Sequence, residues 1–136
     1  MELVNPALRA AVAQQQDAGA LDDTQAEAMR AHAVAEAEAL FRRVDVLLTP
    51  TMPVTAPPVG VDVPAGHEGR NAVDWSYFTY PFNLTGHPAA SYPVGTDAAG
   101  LPIGLQIVGA RDGEPEIFRV AAALERLHPI RLPRMD

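Results

Sequence analysis

The spacing of apolar positions changes several times along the chain, and each change marks an element. From Met1 to Gly19, Leu8 and Val12 fall at helical spacing after Pro6 in a run rich in alanine and polar residues, a weak helical pattern with little to bury. Ala18 to Asp23 breaks it, and Thr24 with Glu27 three residues on forms a capping box that predicts a helix start. Ala26, Met29, Ala33, Ala37, Leu40 and Val44 then recur at steps of three and four, while Glu27, Arg30, Glu36 and Glu38 lie mostly off that stripe. The spacing predicts an amphipathic helix of about twenty residues packed on something apolar. Val44 to Leu48, apolar except for Asp45 and followed by Pro50, reads as a buried strand.

Two more strands are predicted at Ala89 to Val94 and Ile103 to Val108, each bounded by Gly or Pro. Between them, Thr96-Asp97-Ala98-Ala99-Gly100 predicts a turn with positive φ at Gly100, and Leu101-Pro102 forces an extended entry into the next strand. Arg111 to Pro115 opens a last helix, with Asp112 as its cap and Pro115 tolerated in the first turn. Ile117, Val120, Leu124 and Leu127 form its stripe, His128-Pro129 ends it, and the tail from Ile130 to Asp136 is expected to fray.

Two stretches follow neither period. Residues 50–70 carry Pro50, Pro53, Pro57, Pro58 and Pro64 with three glycines, which can continue neither a helix nor a central strand. This segment is a disordered linker, a polyproline ligand such as Pro50-Thr51-Met52-Pro53, or an ordered loop leaving a strand end. Asn71 to Phe82 concentrates Trp75, Tyr77, Phe78, Tyr80 and Phe82, which build either core or the wall of a pocket.

Composition narrows the classes. A length of 136 residues with 48% hydrophobic and 20% charged content suits one globular unit. The net charge of −7, with arginine at every one of the 10 Lys+Arg positions, argues against a nucleic-acid partner, because phosphate binding needs clustered cations. Without cysteine there is neither a disulfide framework nor a thiolate nucleophile. No run approaches the roughly twenty apolar residues of a membrane span, so no membrane partner is expected. With no signal-peptide pattern the expectation is a cytoplasmic protein, and Asn83-Leu84-Thr85 is then a structural sequence rather than a glycosylation site.

Three blocks of wording carry a resemblance. Asp45-Val46-Leu47-Leu48-Thr49-Pro50-Thr51 is the first; Asn83-Leu84-Thr85-Gly86-His87-Pro88-Ala89-Ala90-Ser91-Tyr92-Pro93-Val94-Gly95 is the second; Gly100-Leu101-Pro102-Ile103-Gly104-Leu105-Gln106-Ile107-Val108-Gly109 is the third. In order and spacing they resemble the C-terminal part of the amidase signature enzymes, over residues 21–128. The implied fold is α/β: the C-terminal part of the amidase signature fold, a mixed β-sheet covered by helices, incomplete in this chain. The implied organisation is a single C-terminal segment over 1–136, with a weak helix at 1–20 and the Pro/Gly loop at 50–70 being ordered.

The resemblance implies hydrolysis of a carboxamide to a carboxylate and ammonia or an amine, without a cofactor. In that family a serine is activated through a second serine by a lysine, within a Gly/Ser-rich stretch. This chain has no lysine, and its only serines are Ser76 and Ser91, so no catalytic residue is carried over. The expected role is instead to complete the sheet and supply part of an acyl pocket, with Thr79, Phe82, Thr51 and Ser76 as substrate-binding candidates. Ser76 departs from the Asp that the glutamine-dependent tRNA amidotransferases carry at the aligned place to grip the amino group of glutamine, which disfavours that branch.

Other chemistries fare worse. Ser91 with His32, His67, His87 or His128 matches a Ser-His-Asp set in composition, but Ser91 sits in a predicted strand without a nucleophile-elbow pattern. His67-Glu68 reads as an exposed loop tip rather than a metal ligand pair, His32 as solvated, and His87 as filling a slot where many side chains serve. Glu36 and Glu38, two apart on a helix, point to different faces. The rival to a hydrolase segment is a non-catalytic remnant or split half, whose incomplete sheet exposes unpaired backbone groups that invite self-association or pairing with a missing N-terminal part.

Overall fold

The structure is a computed structural model that describes residues 22–71 and 74–130, together with Pro6, Arg9, Ala10 and Ala13, all four helical. The rest of the N-terminal pattern and the tail beyond Ile130 lie outside the described residues. Six elements follow in order: α1 (Asp23–Phe41), β1 (Val46–Pro50), α2 (Tyr80–Thr85), β2 (Ala89–Thr96), β3 (Pro102–Gly109) and α3 (Glu114–Leu127).

The three strands form one sheet in the order β1-β3-β2, antiparallel at both junctions. The parallel pairs that a mixed sheet requires are not found among the described residues. Proline placement fits this order. Pro50 and Pro93 lie in the outer strands and Pro102 is the first residue of the central one, so no proline interrupts the interior of β3. The expected strand Val44 to Leu48 is displaced by two residues, because the chain leaving α1 turns first, with Arg43 N–H donating to Leu40 O at 2.9 Å.

The core sits on the sheet face that carries Tyr92, Ile107, Val46 and Ala90, where α3 lays down Ile117, Val120, Ala121 and Leu124. Ile107 and Val108 are completely buried. Each contributes about 1.5–3 kcal/mol of burial free energy, which makes β3 the axis of the molecule. The stripe expected of α3 holds except at its end, where Leu127 is exposed. Its expected cap does not hold. Asp112 takes φ 60, and Gly113 becomes the N-cap without a side-chain hydrogen bond. Glu114 and Glu116 in the first turn and Arg126 in the last still complement the helix dipole.

The turn between β2 and β3 forms as expected, with Gly100 at φ 84. Asp97 organises it: Oδ1 accepts from Ala99 N–H and Leu101 N–H, each at 2.9 Å, and Oδ2 accepts from Thr55 Oγ1 at 2.7 Å. These bonds hold the Asp97 carboxyl below its ordinary range, the one from Thr55 most of all.

Helix α1 differs from its expectation in two ways. It starts at Asp22, whose side chain accepts from Gln25 N–H at 2.8 Å, rather than at Thr24, because the earlier aspartate already satisfies the first-turn amides. It also buries none of its residues. Ala33, Ala37 and Leu40 are half-buried, and the helix packs on α2, but Met29 is 61% exposed. Among the described residues nothing covers the first half of its stripe.

Candidate functional site

The loop after β1 is tied back to the sheet as it leaves. Thr51 N–H donates to Gly104 O at 2.9 Å, and the Thr51 and Ser91 hydroxyls meet at 2.7 Å. Both oxygens stand directly over Gly104, where a Cβ would lie only 2.7 Å from each of them. Glycine is therefore required here by close approach rather than by φ, and β3 carries the contact because it lies between the two outer strands. Beside this tie opens a cleft of about 640 Å³, lined by Pro50 to Ala56 and by Pro93, Pro102 and Ile103 around the hydroxyl pair. Its wall is apolar. One hydroxyl hydrogen of the pair is used within it, which leaves the other able to donate to a ligand oxygen.

On the same sheet face, Thr49, Gln106 and Ser91 are cross-strand neighbours. Gln106 is 4% exposed and its amide donates to Thr49 Oγ1 and to Phe78 O, both at 2.9 Å. Those two bonds commit both amide hydrogens, and they fasten the aromatic segment to the face that bears the cleft.

The aromatic segment in turn orders the Pro/Gly loop. Trp75 Nε1 donates to Asp62 O at 3.0 Å, Arg70 lies 5.2 Å over the Tyr77 ring, and His67 packs on Tyr77 at 6.2 Å and on Trp75 at 6.5 Å. His67 is thus part of a ring cluster and not a solvated tip, whereas Glu68 is exposed and accepts from Gly66 N–H at 2.8 Å. Thr79 donates to Ser76 O at 2.9 Å just before α2, so its hydroxyl hydrogen is engaged locally. Gly86 ends α2 at φ 72, donating to Phe82 O at 2.9 Å.

The four substrate-binding candidates therefore fall in three places. Thr51 lines the cleft; Ser76 and Thr79 form the turn into α2; Phe82 lines a second depression, of about 450 Å³, shared with His87 and Arg111. Sequence reasoning misses Gln106, although a lone amide inside an apolar strand is a usable signal. It also misses Arg111, whose Nε binds Glu38 Oε1 at 2.9 Å, because nothing in the sequence joins positions so far apart. His87, replaceable by the wording of its motif, is instead buried. The hydroxyl partner of Ser91 is Thr51, not a histidine. Among the described residues no three His, Asp or Glu side chains gather in a way that could hold a metal ion, and no helix is long and apolar enough to cross a membrane.

The described residues thus form an antiparallel sheet with a helix on one face and a hydroxyl-floored cleft on the other. The family model Amidase matches residues 3–118, and the chain belongs to that family. It is 44% identical over 90 residues to a fatty acid amide hydrolase of Medicago truncatula, covering 65% of this chain and 15% of that protein. To the matching subunit of a glutamyl-tRNA(Gln) amidotransferase of Granulibacter bethesdensis it is 46% identical over 88 residues, covering 63% of this chain and 17% of that one. Among solved structures, a 6-aminohexanoate cyclic dimer hydrolase superposes with a TM-score of 0.66 at 33% identity, over 77% of this chain and 24% of the other. An amidase superposes with a TM-score of 0.74 at 28% identity, over 93% and 30% respectively. The chain thus spans about 15–17% of the length of these curated relatives.

Proposed function

We propose that this segment works as the C-terminal part of an amide-hydrolysing enzyme, supplying sheet and part of the acyl pocket, with nucleophile and lysine outside these residues. The observation that carries the reading is the cleft beside Thr51. It combines an apolar wall with a hydroxyl pair that keeps one donor free, and the loop that forms it is held over Gly104 in the central strand. Such a surface accepts an apolar or aryl acyl group and offers one hydrogen bond to its polar end. Ser76, Thr79 and Phe82 lie outside this cleft, and on this reading they add a neighbouring surface next to Phe78, whose carbonyl Gln106 holds to the same face.

The reaction is attack on a carboxamide carbonyl, loss of ammonia or an amine, and hydrolysis of the acyl intermediate to a carboxylate. No cofactor takes part. These 136 residues contain no lysine and contribute no nucleophile, so by themselves they should not turn over simple carboxamides. Measured release of ammonia above blank by this chain alone refutes the division of labour. In a complete amidase carrying the segment, Thr51→Val should shift preference among acyl groups by about tenfold, the size expected for a lost hydrogen bond, and Thr79→Val should alter that preference more than it alters stability. Unchanged preference returns both threonines to a structural role.

A second reading rests on the outer strands and on α1. Neither β1 nor β2 has a second neighbour among the described residues, and α1 has no buried residue. On this reading the chain is a non-catalytic split half that pairs through these surfaces with a second copy or with a missing N-terminal part. The mass of the native polypeptide separates the two: a product several times 14.5 kDa supports the hydrolase segment, and one of 14.5 kDa supports the split half.

A further inference from the structure

A second cluster lies where α1 meets the turn into β2, and it has the geometry of a switch. His87 is 6% exposed, and its ring stacks on Phe41 of α1 with centroids 5.0 Å apart. Thr85 Oγ1 donates to Pro81 O at 2.9 Å, which commits its single hydrogen. At 2.8 Å from His87 Nδ1 the same oxygen can then only accept. Neutral His87 therefore carries its proton on Nδ1, and Nε2 is a bare lone pair.

That Nε2 is buried, has no hydrogen-bond partner, and faces Glu38 Oε1 at 3.9 Å. Two acceptors oppose each other there. The same Glu38 oxygen takes a 2.9 Å contact from Arg111 Nε, while Arg111 Nη2 donates to Thr85 O at 2.8 Å. A closed circuit thus joins α1, the turn before β2, and the loop between β3 and α3. We propose that this circuit is a proton-operated latch: a proton taken up from solvent at His87 Nε2 turns the opposed acceptors into an ion pair with Glu38, competes with Arg111 for that oxygen, and loosens the loop after β3.

The charges that set its working range come from each element around the ring. Glu38 on α1 favours uptake of the proton and Arg111 opposes it; Asp112 in the loop and Glu114 at the start of α3 line the adjoining depression. Burial is the largest influence and holds His87 below the ordinary histidine value; Glu38 pulls the other way, and Arg111 reinforces the burial. The sign follows. A histidine whose folded value is depressed contributes stability that is fully present above its unfolded value of about 6.5 and is lost as pH falls through the folded value. Acid therefore opens the latch. Because Phe82 and Arg111 line one depression with His87, opening changes the shape of that surface. The inference does not depend on amide hydrolysis.

The test is a pH titration of the whole chain by NMR, following the histidine ring nitrogens and the Arg111 Nε–H together. The expected result has three parts: a neutral tautomer protonated at Nδ1, a midpoint below the ordinary value, and an Arg111 signal that moves with that same midpoint. Glu38→Gln should abolish the coupled movement of Arg111. His87→Phe, which keeps a ring against Phe41, should leave the Arg111 signal flat over that range. A neutral tautomer protonated at Nε2, or an Arg111 signal that ignores the His87 titration in the unmodified chain, overturns the latch. The titration of the unmodified chain decides the matter even where a variant fails to fold.

Discussion

Helix α3 and helix α1 are both built from alanine-rich sequence with apolar residues at helical spacing, yet among the described residues only α3 has its stripe covered along most of its length. Ile117 of α3 is 3% exposed and closes on Ile107 and Tyr92, whereas Met29 of α1 is 61% exposed. The difference lies in what faces each helix. α3 follows β3 through a short loop and folds straight back onto the strand it has just left, so its partner is always at hand. Among the described residues α1 meets the six-residue α2, the ring of His87 and Arg111, all through its C-terminal half. A helix of this composition gains little from propensity alone, since most helical stability in proteins comes from packing one face. What the comparison teaches is that an apolar stripe announces a need for a partner and does not supply one.

The largest expected break falls in the well-packed region. Ile107→Ala should cost about 2–5 kcal/mol in urea unfolding, because it empties a completely buried position between the sheet and α3. A cost close to zero would mean that β3 is not the axis of the fold. Next comes Gly104→Ala, where the new methyl group must push apart the Thr51 and Ser91 hydroxyls; the expected loss is about 1–3 kcal/mol, with the cleft loop freed from the sheet in hydrogen exchange. Retained protection of the Thr51 amide would show that the tie is not what holds the loop.

A smaller effect concerns the turn between the two strands. The Asp97 carboxyl is depressed in the folded state, so its stabilisation is present above the unfolded value near 3.9 and is lost as pH falls through the lower folded value. Asp97→Asn should flatten that part of the acid unfolding curve, and an unchanged acid limb removes Asp97 from the account. The smallest effect is expected in α1. Met29→Ala should change stability by less than about 0.5 kcal/mol in this chain. A larger loss would reveal a partner for the exposed stripe, which the same substitution in a longer protein would also detect.

Local chemistry makes much of the fold legible. The positive φ of Gly100, the strands around it and the last helix all follow from rules that act within a few residues: glycine permissiveness, proline exclusion from a central strand, and helical spacing. The departures at the helix ends are of one kind. The caps at Asp22 instead of Thr24 and at Gly113 instead of Asp112 are choices among neighbouring residues, decided by how the chain enters the helix. The wording around Gly86 and Gly104 also points to the family, because those glycines answer to geometry that other residues cannot meet: a left-handed helix end in one case and the close approach of two hydroxyls in the other.

What the sequence could not contain is the company each polar group keeps. Thr51 and Ser91 stand 40 positions apart, and Gln106 and Thr49 stand 57 apart, yet each pair closes a hydrogen bond across the sheet. His87 looks replaceable in its short motif, and it becomes a buried base only because Phe41, Glu38 and Arg111 arrive from other elements. The chain by itself determined most of its elements, its family and its lack of lysine, since these rest on local propensity, motif wording and composition. Tertiary structure alone decided which side chains meet, because strand register and helix docking set distances that no sequence spacing encodes.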